Sequence, residues 1–291
     1  MNRQGLNLML VDKNNLMYRM LGINQSMKFK NKRTGGLYGF IQLFSKYVNV
    51  HLPSSIVVCD DYPPYKKLEI FPEFKSDRKD NPSPEFHEYI RESHDYVRHF
   101  LSMINIPCLS IKGLEADDLI AFIIQNIGYK YDYNIICSND DDLFQLLSEN
   151  VSLQRSKDVY TLQDFRKEYE LEPFHWSNVL TLKGSHNGLK PIEKGMGPVH
   201  SLEIVKDVGK WVEFRNNNMD LYLKRLSIVQ YPYNPDGKSY LEYCNLLEKE
   251  NFKFKRFDMR DVINTLIFDY GIRIQPHMEE ALQIILEGVR E

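Results

Sequence analysis

Short runs of apolar residues alternate with helix-like patterns along the first half of the chain. Four runs have the length of strands: LNLMLV (6–11), SIVVC (55–59), CLSI (108–111) and YNIIC (133–137). Apolar residues with helical spacing fill the gaps, at 37–48, 84–103, 115–127 and 142–147. Strands that alternate with helices are typical of βαβ units. The pattern therefore predicts an α/β protein with a central, mostly parallel sheet flanked by helices.

The second half of the chain has a different pattern, because strand-like runs become scarce after about residue 161. A Gly/Pro-rich segment, GSHNGLKPIEKGMGP (184–198), separates helical VLTLK from helical VHSLEIVKDVGKWVEF and is predicted to be a turn. The polar segment EFKSDRKDNPSPE (73–85) is predicted to be a mobile loop. We expect three parts: an α/β domain at 1–180, a helix–turn–helix region at 181–230 and a helical extension at 231–291.

The composition is that of an ordinary globular protein, with 43% hydrophobic and 26% charged residues in 291. No apolar run approaches the ~20 residues that a membrane span needs, and the stretch before Asp12 is too short for a secretory signal. The four cysteines form no CxxC pair, which argues against a zinc site or a disulfide framework. We therefore expect a cytoplasmic protein, a monomer with no membrane partner.

Acidic residues stand where the predicted strands end. Asp12 and Asp60 follow the first two strands, and the run 140–142 follows the fourth. The third strand leads into a helix that opens with Glu115, Asp117 and Asp118. Ligand sites in open parallel sheets lie outside the carboxyl ends of the strands. These acids should therefore meet at one edge of the sheet, although they are far apart in the sequence.

A single aspartate at a helix start is commonly an N-cap, but one helix needs only one cap. Several uncompensated carboxylates in a small volume would raise one another's pKa, and hard divalent cations with oxygen ligands remove that problem. Two such ions can clamp the attacking and leaving oxygens of a phosphodiester. No His or Cys accompanies the acids, which favours Mg²⁺ or Mn²⁺ over zinc.

The net charge supports a different conclusion about binding partners if the acids hold metal ions. The chain carries a formal charge of −3, which becomes +4 once seven carboxylates are neutralised. Such a remainder fits a surface that binds a nucleic-acid backbone. Candidate phosphate contacts are Lys190 and Lys194 beside Gly195 and Gly197, whose backbone N–H groups open a helix. Lys32 and Arg33, in MKFKNKR, are a further candidate, although a solvated basic hairpin explains them equally well.

Several motifs together resemble those of the 5′-nuclease superfamily, in particular the bacteriophage 5′→3′ exonucleases or flap endonucleases. The motifs stand in the family's order: LMLVDKNNL, VVCDD, FPEFKSDRKD, LEADDLIA, CSNDDDLFQLL and KGMGP. The resemblance implies a PIN-like domain, a helical arch and a helix–three-turn–helix motif that binds DNA. It also implies a metal-dependent nuclease that cuts 5′ flaps, duplex junctions with a single-stranded 5′ end or RNA primers in RNA–DNA hybrids during replication. For a phage-encoded protein, the location would be the host cytoplasm.

The resemblance assigns roles by position. The first metal ion would be held by Asp12, Asp60, Glu115 and Asp117. The second would lie towards Asp118, Asp140 and Asp142. Lys75 and Arg78 would contact the scissile phosphate from the arch. The resemblance leaves open whether a monovalent cation also binds at the turn of the helix–three-turn–helix motif.

The chain departs from the family pattern at Ser185 and Gly188, where two aspartates of the second metal site are expected. The second ion should therefore be weaker than the first, or absent. A nuclease-like DNA-binding protein with little or no catalysis is one alternative, and a PIN-domain ribonuclease is another. A phosphatase of the DxD class is disfavoured, because Asp12-Lys13-Asn14 lacks the second acid.

Overall fold

The computed structural model describes residues 5–22, 24, 26–72, 74, 83–184, 189–233, 241, 243–245, 247 and 252–289. Within these residues a six-stranded sheet has the order β5-β4-β1-β6-β7-β8. Its strands are β1 (Asn7–Asp12), β4 (Ser55–Cys59), β5 (Cys108–Leu109), β6 (Tyr133–Cys137), β7 (Val151–Gln154) and β8 (Val159–Tyr160). All neighbours pair in parallel except β7 and β8. A separate hairpin joins β2 (Lys28–Phe29) to β3 (Lys32–Arg33).

Helices cover the sheet and form the second half of the described chain. They are α1 (Lys13–Leu21), α2 (Gly35–His51), α3 (Tyr65–Ile70), α4 (Pro84–Met103), α5 (Ala116–Asn126), α6 (Leu162–Tyr169), α7 (Trp176–Lys183), α8 (Pro198–Lys206), α9 (Val208–Asn217), α10 (Met219–Val229), α11 (Met259–Phe268) and α12 (Pro276–Glu287). Among the described residues, no helix is both long and apolar enough to cross a membrane.

The core has two halves, one on each face of the sheet. Leu8 and Leu10 of β1 face one half, together with residues of α5 and α7, and Met9 and Val11 face the other, together with α1, α2 and α12. Alternate residues of a strand point to opposite faces, so a strand buried on both faces is a continuous apolar run. This explains why LNLMLV and SIVVC show no polar alternation.

The α/β class and the mostly parallel sheet predicted from the sequence are confirmed. The strands β7 and β8 were missed, and the helix predicted at 142–147 is a 3₁₀ helix over Asp141–Leu146. The helical stretch after the turn divides at Asp207, whose side chain accepts a hydrogen bond from the backbone N of Lys210 and caps α9. The predicted loop 73–85 lies outside the described residues except for Phe74 and residues 83–85, with α4 starting at Pro84.

The three expected parts of the chain contribute to one hydrophobic cluster. Val179, Met196 and Tyr233 are all buried in the half of the core that contains Leu8. Contacts across the expected boundaries are therefore apolar and close. The division at 181 and 231 stays a prediction.

Of the connection between α7 and α8, which is called the turn below, the structure describes residues 184 and 189–197. Gly184 has a φ of +81°, and a Cβ there would lie 1.9 Å from the carbonyl oxygen of Leu189. Leu189 and Met196 are buried, and the backbone N of Ile192 donates to the carbonyl oxygen of Leu182. The turn is thus fixed to the core at several points, which holds its exposed residues in place.

We predict that Gly184→Ala destabilises the protein by about 3 kcal/mol, since the substitution combines positive-φ strain with a backbone clash. Gly195→Ala is the matched control: its φ is +90°, but open space surrounds the site of a Cβ. That variant should cost only about 1 kcal/mol. Urea unfolding of both variants measures the difference. Equal losses would mean that the contact between residues 184 and 189 does not constrain the turn.

Candidate metal and phosphodiester site

The acids converge because three neighbouring parallel strands end at the same edge of the sheet. Asp12 lies opposite Cys59, the last residue of β4, and Val11 lies opposite Cys137, the last residue of β6. The chain after each strand therefore starts from the same rim. The loop after β5 leads to Glu115, which precedes α5 at that rim. The predicted convergence of strand ends is confirmed.

Asp12 lies at the centre of this rim and is buried. Its carboxylate accepts hydrogen bonds from the backbone N of Asn15 at 2.9 Å and from the Ser138 hydroxyl at 3.0 Å. Burial and the negative charges of Asp61 and Asp140 raise the pKa of Asp12 to about 7, more than these hydrogen bonds lower it. Asp12 therefore carries negative charge that the surrounding protein does not fully compensate.

Asp61 lies close to Asp12 as well, although the resemblance assigned the metal-ligand role to its neighbour Asp60. Its Oδ1 accepts from the backbone N of Ala116 at 2.8 Å, and its Oδ2 accepts from Asn14 Nδ2 at 2.6 Å. Asp61 is thus held between the start of α5 and the residue two places after Asp12. Its charge raises the pKa of both Asp12 and Asp117.

Asp60 does not face the group. Its Oδ2 lies 2.5 Å from Lys13 Nζ and 2.7 Å from Arg98 Nη2. Burial raises the pKa of Asp60, but these two cations outweigh burial and leave the pKa below its usual value. The expected metal-ligand role of Asp60 does not fit this geometry, because its charge is already neutralised from within the protein.

Asp117 and Asp140 complete the crowded group. Burial, followed by the charges of Asp140, Asp12 and Asp61, raises the pKa of Asp117 well above its ordinary value. Tyr231 donates its hydroxyl to Asp117 Oδ2 at 3.1 Å. The group of Asp12, Asp61, Asp117 and Asp140 is called the acid cluster below.

Asp142 borders the acid cluster. Its backbone N donates to Asp140 Oδ1 at 2.9 Å, and burial together with the charge of Asp140 raises the pKa of Asp142 to about 8. The middle residue of the run, Asp141, instead pairs with Arg155 Nη2 at 2.8 Å. The run 140–142 therefore contributes two of its three acids to this side of the protein.

Glu115 and Asp118 are engaged by a lysine. Lys67 Nζ lies 3.1 Å from Glu115 Oε2 and 2.8 Å from Asp118. Asp118 also accepts from the backbone N of Glu115, within the capping box of α5. The carboxylate of Asp118 is fully buried against Lys67 and the helix start, and its expected role as a metal ligand stays a prediction.

The acid cluster fits a hard divalent cation in its chemistry. Its side chains offer oxygen ligands only, and their raised pKa values show negative charge that a cation would stabilise. Within the described part of the chain, no three His, Cys, Asp or Glu side chains already stand in a metal-ligand arrangement. The side chains would therefore have to close around an ion.

The turn between α7 and α8 presents the predicted phosphate contacts to solvent. Lys190, Lys194 and Gly195 are exposed, and Gly197 is the N-cap residue of α8. The buried Arg225 donates a hydrogen bond to the carbonyl oxygen of Lys190 and supports the turn from below. This geometry is compatible with a contact to a phosphate backbone.

The hairpin residues Lys32 and Arg33 have internal partners instead. Arg33 pairs with Glu92 at 3.0 Å and with Glu88 at 3.1 Å, both on α4. Lys32 Nζ lies 4.6 Å from the centre of the Tyr270 ring. The structure therefore favours a role in holding the hairpin to α4 over the phosphate contact, which the sequence left open.

Some expected residues cannot be placed, and others were missed. Lys75, Arg78, Ser185 and Gly188 lie outside the described residues. Sequence reasoning missed Asp61, Lys67 and Tyr231. The only signal for Asp61 was its position beside Asp60, whereas Lys67 and Tyr231 stand in segments without a recognisable motif.

Comparisons with known proteins identify the family of this chain. Residues 7–170 match the family described as 5′-3′ exonuclease, N-terminal resolvase-like domain. The 5′-3′ exonuclease of Aquifex aeolicus is 27% identical over 87% of this chain and 88% of its own length. The flap endonuclease of Escherichia phage T5 is 23% identical over 78% of this chain and 84% of its own length.

The fold is also that of a solved nuclease. A structure of the bacteriophage T5 flap endonuclease, in a pseudo-enzyme–product complex with DNA and metal ions, superposes with a TM-score of 0.62. It covers 97% of this chain and 99% of the T5 chain at 19% identity. The match to the family covers more than half of the chain, and its residues include every member of the acid cluster. The chain therefore belongs to the 5′-3′ exonuclease family and is a nuclease of the 5′-nuclease superfamily.

Proposed function

We propose that this nuclease is a divalent-metal-dependent 5′→3′ exonuclease and flap endonuclease that hydrolyses DNA near duplex junctions. The observation that carries the proposal is the acid cluster, where carboxylates from four separate segments meet at the carboxyl edge of the sheet. The names of the Aquifex and T5 relatives support the substrate class, and the T5 complex supports the need for metal ions and DNA.

The residues proposed to hold the ion are Asp12, Asp61, Asp117 and Asp140, with Glu115 and Asp142 at the border. A bound Mg²⁺ or Mn²⁺ would neutralise the phosphoryl oxygens and lower the pKa of the attacking water. Asn14 and Ala116 orient Asp61, and Asn15 and Ser138 orient Asp12. These fixed donors limit the rotation of the carboxylates, so the ligands are partly preorganised before an ion binds.

A cleft of about 500 Å³ opens beside the acid cluster and offers a path for the substrate. Asn14, Asp61 and Glu115 line one wall, while Arg91 and Arg98 of α4 line the other. The guanidinium groups of α4 would attract a phosphate backbone towards the carboxylates. Lys75 and Arg78 are proposed to contact the scissile phosphate, in line with the sequence resemblance.

The turn between α7 and α8 is proposed to hold the duplex. Lys190 and Lys194 would contact phosphates, and the backbone N–H groups near Gly195 and Gly197 would add hydrogen bonds. Such contacts do not read the base sequence, which suits an enzyme that recognises a junction by its shape. A monovalent cation at this turn, RNA–DNA hybrids as substrates, a monomeric state and a cytoplasmic location all stay predictions.

The first prediction from the proposed function concerns cleavage of a 5′ flap. A labelled 5′-flap duplex should be cut near its junction in Mg²⁺, and EDTA or Asp140→Asn should lower the rate at least about 100-fold, because each removes part of the charge stabilisation. Gel analysis of single-turnover reactions gives the rate. Binding in Ca²⁺ without cleavage in Mg²⁺ or Mn²⁺ would favour the DNA-binding alternative. A preference for single-stranded RNA would favour the PIN-domain ribonuclease.

The second prediction separates two adjacent aspartates. Asp61→Asn should weaken Mn²⁺ binding and slow cleavage about tenfold or more, with little change in unfolding free energy. Asp60→Asn should instead cost about 3 kcal/mol of stability, because it leaves the buried Lys13 ammonium without its carboxylate. Calorimetric Mn²⁺ titration and urea unfolding of both variants measure the two effects. The reverse pattern would return the metal-ligand role to Asp60.

The third prediction concerns pH in the absence of metal. Asp12 and Asp142 have folded-state pKa values of about 7 and about 8, against ~4 in an unfolded chain. The folded protein therefore binds these protons more tightly than the unfolded chain does. The contribution of the two protons to the free energy of unfolding is complete below pH ~4 and is lost as the pH rises to ~8. In EDTA, Tm should fall between pH 5 and pH 8.

Two controls test why Tm falls between pH 5 and pH 8 in EDTA. Saturating Mg²⁺ should make Tm nearly independent of pH over this range, and so should Asp12→Asn combined with Asp142→Asn. A Tm that stays constant or rises over this range in EDTA would show that the carboxylates are not crowded in solution.

A further inference from the structure

One face of α4 carries side chains with nitrogen donors along the cleft beside the acid cluster. His87, Arg91, His94 and Arg98 follow one another at intervals of four, three and four residues, a spacing that places them on the same side of a helix. All four line the cleft of about 500 Å³. Asp95 lines it as well and lies 3.5 Å from Arg98 Nη1. The cleft therefore has a row of nitrogen donors along α4.

His94 is held in place from the protein side by a buried lysine. Its Nδ1 lies 2.7 Å from Lys13 Nζ. That ammonium is fully buried and lies 2.5 Å from the Asp60 carboxylate. The His94 ring also packs against Tyr18 in an edge-to-face arrangement, with ring centres 6.4 Å apart. These two contacts fix the orientation of the imidazole.

The contact with Lys13 also fixes which ring nitrogen of His94 carries the hydrogen. A lysine ammonium has three donors and no acceptor, so Nδ1 of His94 accepts the hydrogen bond. Burial, followed by the charge of Lys13, lowers the pKa of His94 to about 4, and the ring is therefore neutral near pH 7. A neutral imidazole whose Nδ1 accepts carries its hydrogen on Nε2. The ring thus has one N–H donor and no charge.

The donors of this row differ in how far the protein already uses them. Arg98 donates to Asp60 from Nε at 3.0 Å and from Nη2 at 2.7 Å. Arg91 meets Glu88 at 3.8 Å with both side chains exposed, and such surface pairs are weak. The described residues supply no acceptor for Nε2 of His94. Because His94 lines the cleft, an acceptor for this N–H can come from a molecule in the cleft.

We propose that His94 is a substrate-binding residue whose Nε2–H donates to a phosphate oxygen of the single-stranded 5′ segment. The volume of the cleft lies in the range of small-ligand sites, which suits a single strand and not a duplex. Arg91 supplies charge to the same strand, whereas His94 supplies a neutral contact of fixed direction. The inference rests on the proposed function, since it takes this cleft as the path of the substrate.

The test is the affinity for a fluorescently labelled 5′-flap duplex in Ca²⁺, measured by anisotropy. His94→Phe keeps an aromatic ring beside Tyr18 but removes the donor, and it should weaken flap binding about tenfold because a hydrogen bond to a charged group is lost. His94→Gln should retain most of the affinity, since its amide offers an acceptor to Lys13 and an N–H to the phosphate.

A matched control lies on the same helix. His99 contacts the Tyr270 hydroxyl at 2.8 Å and is not among the residues that line the cleft. His99→Phe should therefore leave flap affinity unchanged. A duplex of the same sequence without a flap shows which part of the DNA is contacted, because the original protein and His94→Phe should bind it equally well.

The salt dependence of binding separates a neutral contact from a charged one. In His94→Phe the slope of log K against log salt concentration should stay as in the original protein, since a neutral donor displaces no counterion. In Arg91→Gln the slope should become shallower by ~0.7, the value for one phosphate contact on a single strand. An unchanged slope in Arg91→Gln would show that the strand does not follow this face of α4.

A measurement on the original protein covers the case in which His94→Phe folds poorly. In long-range ¹H–¹⁵N spectra of histidine-labelled protein, His94 should show an unprotonated Nδ1 and a protonated Nε2, and the flap duplex should shift the Nε2 resonance. The spectrum of His94→Gln assigns the signal by its absence. A hydrogen on Nδ1, or no shift with saturating flap DNA, would contradict the proposed contact.

Flap affinity that is unchanged in His94→Phe, or a loss that His94→Gln does not restore, would overturn the inference. That failure is distinct from a failure of the proposed function. If the original protein binds and cuts flaps while the His94 variants bind them equally well, only the role of His94 is wrong. If the original protein neither binds nor cuts flap DNA, the proposed function itself is wrong.

Discussion

Mutual repulsion among crowded carboxylates is the constraint on which the organisation of the site depends. The parallel strands β4, β1 and β6 end at one edge of the sheet, so the acids that follow them are forced together. A low local dielectric makes that repulsion stronger than it would be in water. Burial first, and the charges of neighbouring acids second, raise the pKa values of Asp12, Asp117 and Asp142. A divalent cation bound among these acids would relieve the repulsion.

Two internal lysines decide which acids remain available to a metal ion. Lys13 neutralises Asp60, and Lys67 neutralises Glu115 and Asp118. Each lysine is almost completely buried, so solvent screens its ion pairs little. Asp12, Asp61 and Asp117 instead accept hydrogen bonds from neutral donors. We therefore propose that the placement of cations selects the metal ligands as much as the placement of acids does.

The sequence predicted the sheet well, because continuous apolar runs and acids at their ends leave few other arrangements. It could not distinguish Asp60 from Asp61, since side-chain alternation ends with the strand at Cys59 and the choice depends on Lys13, which is distant in sequence. It assigned Asp117 to one ion and Asp118 to another, and it could not show that Asp118 contacts Lys67, which lies in a segment without a recognisable motif. The short strands β7 and β8 and the 3₁₀ helix gave no periodic signal long enough to detect.

The most direct test of the central claim is the position of an ion in a crystal of the protein grown with Mn²⁺, located by anomalous diffraction. The account predicts an anomalous peak bonded to oxygens of Asp12, Asp61 and Asp117, with the Asp60 carboxylate still on Lys13. A peak ligated by Asp60, or no peak at the sheet edge at millimolar Mn²⁺, would contradict it.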